Sequence, residues 1–259
     1  MDVVGQRLVD WFQREGADLP WRRTRDRYRV LVAEAQLQAT PVARVLPYYE
    51  RFVERWPTVG DLARAELGEV LAEWQGLGYP RRARNLHAAA AVVAASGWPA
   101  PERLTDLPGV GAYTAAAIRC FADGEDLLPV DTNAARVAAR RFPGGWPGAP
   151  GIGWEAGQAV MDLGRLWCTA RAPRCADGCP LREGCPAAEA GTVRELTPVR
   201  RPQGRYEGSM RQRRGALLRE LAERGWVSES RDPEAAASLV ADGLAGAAPG
   251  RLVRAGAPS

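Results

Sequence analysis

Two acids, one tyrosine and four cysteines are the residues of this 259-residue chain whose types and spacing could do chemistry. Glu34 lies in Val32-Ala33-Glu34-Ala35-Gln36-Leu37-Gln38-Ala39-Thr40, a segment with no other charge. A carboxyl facing an apolar surface keeps its proton to higher pH and can act as a general acid. The plain alternative is a solvated charge on a helix. Asp131 stands in Val130-Asp131-Thr132-Asn133, twenty residues after Gly111. Two acids in different surroundings can divide the cleavage of a glycosidic bond: one protonates the leaving group, the other stabilises or captures the oxocarbenium-like sugar. Cys168, Cys175, Cys179 and Cys185 fall within eighteen residues as C-x6-C-x3-C-x5-C, and the fifth cysteine, Cys120, sits apart as a small apolar residue. Clustered thiols in a reducing compartment bind metal more often than they pair. Zinc sites usually come as two separated C-x2-C knuckles, so one compact loop suits a [4Fe–4S] cluster better, with zinc as the alternative.

The elements that must position these groups are helices. Apolar residues recur at helical spacing from Tyr28 to Ala122, with breaks at Pro41, Pro57, Gly76 to Gly78, Gly97 to Pro99 and Pro108-Gly109. Leu8, Val9, Trp11 and Phe12 mark a first amphipathic helix; Thr132 to Arg141 and Trp154 to Cys168 read as two more, joined by a Gly/Pro loop from Pro143 to Gly153. No sustained Val/Ile alternation suggests a sheet, so the fold class is all-α. In Leu107-Pro108-Gly109-Val110-Gly111-Ala112-Tyr113-Thr114 two glycines make a tight turn into the next helix. The unpaired amides and positive dipole end of that helix can hold a phosphate; an ordinary helix corner is the alternative. Beyond the cysteines, Pro198 to Gly208 is a basic linker. The remainder reads as helix (Met210 to Arg224), a short apolar turn, helix (Asp232 to Leu244) and an extended end (Arg251 to Val253). It is either a winged-helix-like module or a packing appendage.

Composition narrows the classes. There is no run of eighteen apolar residues, and Asp2, Arg7 and Asp10 interrupt any leader pattern, so the expectation is a cytoplasmic, nucleoid-associated protein without a membrane partner. The net charge of +4 permits nucleic-acid binding. All 35 basic residues are arginine, which leaves no lysine amine to form a Schiff base with an opened sugar.

Together these segments resemble the helix-hairpin-helix, Gly/Pro-rich, Asp superfamily of DNA glycosylases, from about residue 5 to residue 188. Leu19-Pro20-Trp21-Arg22 is similar to its opening motif, Trp74 to Leu86 to its W-x-G-L-G-Y-Y-x-R-x-x-N-L segment, and Gln158 to Gly164 to N-Q-A-M-M-D-L-G. The resemblance is strongest to the adenine-excising branch, which carries S-E-x-x-L-Q-Q-T around Glu34. It implies a six-helix barrel at 21–130, an iron–sulfur domain from 1–20 and 131–190, a linker at 191–209 and a small module at 210–259. It implies that Glu34 protonates adenine, that Asp131 stabilises the sugar cation, and that Tyr113 and Asn133 assist. Gly109, Gly111, Thr114, Arg22, Gln38, Leu77, Tyr79 and Arg81 would meet DNA, and Cys168, Cys175, Cys179 and Cys185 would hold a [4Fe–4S] cluster. Tyr113 takes the place of the lyase branch's lysine, so the implied enzyme is a monofunctional hydrolase. Its partner would be double-stranded DNA with a mismatched or oxidised base, bound by a monomer. Adenine opposite 8-oxoguanine or guanine is the expected substrate. A thymine, uracil or hypoxanthine mismatch glycosylase and a catalytically silent damage-binding protein are the alternatives.

The chain departs from the pattern in four places. Ala39 replaces the second Gln of L-Q-Q-T, and Pro80 replaces the second Tyr. Asp177-Gly178 lengthens the middle cysteine gap by one residue. The residues after Cys185 are too few for the branch's Nudix-like domain, and the sole histidine, His87, lies far upstream of where that domain's Phe-Ser-His loop would be.

Overall fold

A computed structural model describes residues 3–144, 153–196 and 204–256. Most of the Gly/Pro loop expected after Pro143, and the linker from Pro198 through residue 203, lie outside the described residues. In chain order the helices are α1 (Val3–Glu15), α2 (Arg27–Leu37), α3 (Val42–Arg55), α4 (Val59–Arg64), α5 (Leu67–Glu73) and α6 (Arg81–Ser96). They continue as α7 (Ala112–Phe121), α8 (Thr132–Arg141), α9 (Gly153–Leu166), α10 (Pro186–Glu189), α11 (Met210–Arg224) and α12 (Pro233–Ala241). Three short strands, β1 (Trp226–Ser228), β2 (Ala245–Ala248) and β3 (Arg251–Arg254), complete the described elements. The molecule is mostly helical, as expected, with its strands confined to the C-terminal region. The chain divides into two compact units, Met1–Val30 with Gly111–Arg201, and Leu31–Val110 with Pro202–Ser259.

In the first unit α9 packs against α1, α7 and α8. Leu8 and Trp11 of α1, Val137 of α8, and Val160 and Leu163 of α9 share one core with Phe142 and Leu181. Each such side chain contributes about 1.5–3 kcal/mol by leaving water. Gly164 lets α8 approach closely: a Cβ there would sit 2.6 Å from that of Asn133. The Arg22 guanidinium donates to Gln158 at 2.8 Å, to Asp162 at 2.7 Å and to the Ala17 carbonyl at 2.9 Å, while the Ala17 amide donates to Asp162. Burial works against ionisation of Asp162. The hydrogen bond and charge of Arg22 outweigh it and hold the carboxyl below the usual range.

In the second unit α6 packs against α4 and α5. Thr58 and Asp61 start α4 with a reciprocal capping box. The C-terminal region has the order helix, strand, helix, strand, strand, and its antiparallel sheet runs β1-β3-β2, a winged-helix-like arrangement. It is also docked on the helices before it. Helix α11 packs on α5, and the Gly68 amide donates to the Ala255 carbonyl at 2.9 Å. Asp242 accepts from Arg81 and Arg214, and its backbone carbonyl accepts from Arg84. The Arg81 hydrogen bond is the main cause that lowers the Asp242 pKa to about 2.

Candidate active site

In the first unit, Asp131 caps the N-terminus of α8. Its Oδ1 accepts the amides of Asn133 at 2.8 Å and Ala134 at 2.7 Å. Its Oδ2 accepts Asn133 Nδ2 at 2.8 Å. Asn133 is held in turn by Arg136, which donates to its side-chain oxygen at 2.8 Å and to the carbonyls of Gly164 and Cys168. The half-buried carboxylate is thus fixed by three donors at the positive end of a helix, an environment suited to a negative charge that faces a developing cation. Tyr113 lies half-buried in the first turn of α7, and the amides of that turn have no intrahelical acceptor.

The hairpin before α7 needs only one of its two glycines for conformation. Gly109 has φ +76°, and a Cβ there would meet that of Asn85 at 2.7 Å. Gly111 is the extended N-cap of α7 with φ −88°, and a Cβ there would meet nothing within 4 Å. Its bareness leaves the helix end open to an anion.

In the second unit Glu34 is 7% exposed, on a stretch of α2 whose neighbours Val32, Ala33, Ala35 and Gln36 are also buried. Both polar atoms of the Gln36 amide are buried without a hydrogen-bond partner among the described residues. Beyond α2 the backbone turns sharply: Ala39 (φ 55°) and Tyr79 (φ 49°) are the only described non-glycine residues with positive φ. One side chain stabilises both turns. Arg82 Nη1 donates to the carbonyls of Ala35, Gln36 and Gln38 at 2.8, 2.9 and 2.6 Å. Its Nη2 donates to Thr40 Oγ1 and to the carbonyls of Leu77 and Gly78 at 3.1, 2.9 and 3.0 Å. The guanidinium also lies 5.4 Å from the Trp74 ring centre and 5.5 Å from that of Tyr79. Desolvation lowers the Arg82 pKa to about 10, so it stays a cation at neutral pH.

Several residues expected to meet DNA are otherwise engaged. Leu77 is 4% exposed and Thr114 is buried on α7, so neither side chain is presented at the surface. Arg22 is buried with Asp162, which makes it a positioning residue for α9. Tyr79, at 40% exposure, and Gln38 are exposed. Arg81 is exposed but paired with Asp242. The arginine of the W-x-G-L-G-Y-Y-x-R pattern falls on Arg82, not on Arg81, so the motif itself carried the signal for the clamp.

The four clustered cysteines form no disulfide. They lie near enough for Cys168 and Cys185 to help raise the pKa of Cys175, after burial. Burial pushes the Cys179 thiol up to about 11, with smaller contributions from the other three cysteines. Arg140 Nη1 donates to Cys168 Sγ at 3.3 Å, and the Cys185 thiol faces the Arg140 carbonyl at 3.6 Å. No group of three metal-ligating side chains is gathered for a single ion among the described residues. The four thiols lie close enough to influence one another, and as a donor set they suit a cluster that takes one thiolate per iron.

Residues 32–147 match the HhH-GPD superfamily of base excision DNA repair proteins. The chain is 42% identical over 233 residues to the adenine DNA glycosylase of Mycobacterium tuberculosis (strain ATCC 25618 / H37Rv), covering 82% of this chain and 76% of the relative. It is 38% identical to that of Mycolicibacterium smegmatis, covering 94% and 93%. Among solved structures, a thermostable thymine-DNA glycosylase superposes with a TM-score of 0.65 at 27% identity, over 73% of this chain and 96% of that one. A trapped endonuclease III–DNA covalent intermediate shares the fold, with a TM-score of 0.60 at 23% identity over 73% and 95%. Fold and matched motifs define the class: a base excision DNA repair protein of the HhH-GPD superfamily. Within that class, the chain belongs to the adenine DNA glycosylase family.

Proposed function

We propose that this protein is a monofunctional DNA glycosylase of base excision repair that hydrolyses the N-glycosidic bond of adenine mispaired with 8-oxoguanine or guanine. The observation that carries the reading is the contrast between two acids. Glu34 is buried on an uncharged stretch of helix; Asp131 is a carboxylate fixed by three N–H donors. On this reading Glu34 delivers a proton to the leaving base, the general-acid half of the cleavage. Asp131 stabilises the sugar cation that forms, Asn133 orients it, Tyr113 assists, and water completes the hydrolysis. The amides of the first turn of α7, after Gly111, take a backbone phosphate, and Tyr79 enters the duplex where the base leaves the stack. Cys168, Cys175, Cys179 and Cys185 hold a [4Fe–4S] cluster that folds the loop, and the protein acts as a monomer. With no lysine in the chain, strand scission by a lysine Schiff base has no nucleophile.

Chromatography of the products from an adenine–guanine duplex tests this. Free adenine with a strand that breaks only after hot alkali supports the reading; a nick before alkali contradicts the monofunctional assignment. A second reading, excision of thymine or uracil opposite guanine, draws on the likeness to the thymine-DNA glycosylase fold. No described helix is long and apolar enough to cross a membrane.

A further inference from the structure

A groove of about 700 Å³ opens beside the two turns that Arg82 clamps. Ala39 and Tyr79 line one side, and the N-terminal half of α11 with Tyr206 lines the other. Its floor is apolar, formed by the buried Leu71, Trp74 and Leu218. Its rim carries five arginines, Arg44, Arg81, Arg211, Arg214 and Arg219, and no acidic residue. Arg81 and Arg214 are paired with Asp242. Arg44, Arg211 and Arg219 are exposed and bond no described carboxylate. Tyr206 is 50% exposed, with the Arg211 guanidinium 5.0 Å from its ring centre.

Exposed guanidinium groups around a half-exposed tyrosine ring and an apolar floor have the chemistry of a nucleotide site: phosphates pair with the cations and a base stacks on the ring. The volume lies in the range of pockets that enclose such a ligand. Glu34 is not among the lining residues, so this is not the pocket of the excised base. The groove begins at the turn that carries Tyr79. The side chain of Ala39 is too short to fill the space there.

We propose that the groove takes the strand opposite the excised base: the unpaired base stacks on Tyr206, and its flanking phosphates pair with Arg44, Arg211 and Arg219. This rests on the reading that Tyr79 enters the duplex at the excised base. It makes the C-terminal module a reader of the opposing nucleotide.

The test uses the full chain and fluorescence anisotropy on duplexes that carry a tetrahydrofuran abasic analogue opposite 8-oxoguanine, guanine, cytosine or a second abasic analogue, across a salt series. Tyr206→Ala weakens binding about tenfold where a base stands opposite, Tyr206→Phe retains it, and neither changes binding where that base is missing. Replacing Arg44, Arg211 and Arg219 together with alanine reduces the salt slope by about 0.9 per lost phosphate contact, whatever the base. Equal loss with and without the opposing base overturns the stacking assignment; an unchanged salt slope overturns the phosphate assignment. Thermal melting confirms that each variant is folded. A wild-type protein that binds these duplexes but releases no adenine refutes the glycosylase reading alone. One that releases adenine while the variants bind normally refutes the groove alone.

Discussion

Ala39 and Tyr79, the two non-glycine residues that adopt positive φ, are tied together by a single guanidinium. Arg82 donates to the carbonyl that precedes each of them, Gln38 for one and Gly78 for the other. Left-handed backbone at such residues costs about 1–3 kcal/mol each and persists only where the surroundings hold it. Six bonds from one half-buried side chain supply that hold.

Replacing Arg82 with alanine therefore removes the clamp and leaves its carbonyl acceptors without this donor, at about 1–3 kcal/mol for each group that water cannot reach. Arg82→Lys keeps the charge but has three donors in place of a planar fork, and recovers only part of the loss. Urea denaturation reads the stability, and anisotropy on abasic duplexes reads the Tyr79 turn. Wild-type behaviour in Arg82→Ala would show that the turns hold themselves.

Asp131→Asn separates chemistry from architecture. Asparagine caps helices about as well as aspartate, so α8 is kept within a few tenths of a kcal/mol. The negative charge is lost, and excision falls by about 100-fold or more. Glu34→Gln, which removes the acid, loses about 100- to 10,000-fold. Both variants bind duplex DNA as the wild type does; single-turnover rates beside binding isotherms distinguish these effects.

The hairpin glycines differ in their tolerance. Gly109→Ala combines left-handed backbone with the contact on Asn85, and destabilises by more than about 1 kcal/mol. Gly111→Ala meets no neighbour and costs less, but places a methyl at the open end of α7. Its expected effect is on DNA affinity, measured at constant salt, more than on melting temperature.

Acid should unfasten both units. Asp162 and Asp242 have pKa values below the ordinary 3.8 in the folded protein. A depressed carboxyl contributes stability that is complete above its unfolded pKa and is lost as pH falls through the folded value. Melting temperature is therefore expected to drop as pH falls from about 4 towards 2, the Asp242 value being about 2. Asp162→Asn leaves the Arg22 cation buried without its partner and costs about 3–5 kcal/mol at neutral pH. A melting temperature that stays flat or rises on acidification contradicts both assignments.

The helices and the hairpin were legible in the sequence because each is set by a short segment: a periodicity, a glycine. Exposure was not. Leu77, Thr114 and Arg22 sit in motifs that suggest DNA contact, yet their burial depends on residues far away in sequence, as with Arg22 on Gln158 and Asp162. The Arg82 clamp gathers acceptors from two separate segments, and a motif letter does not say what its guanidinium reaches. The docking of the last module was hidden for the same reason. The strand order of that module is local, whereas its anchor is a tertiary meeting of Asp242 with Arg81 and Arg84.

The central claim is that Glu34 and Asp131 release adenine, and single-turnover excision by the wild-type protein tests it most directly. The panel sets adenine opposite 8-oxoguanine, guanine and cytosine, and thymine, uracil and hypoxanthine opposite guanine, each with and without hot alkali. The account predicts adenine release opposite 8-oxoguanine and guanine, with strand breaks only after alkali and with rates lowered about 100-fold or more in Glu34→Gln and Asp131→Asn. Release of thymine, uracil or hypoxanthine in its place, or turnover at the wild-type rate by either variant, would contradict it.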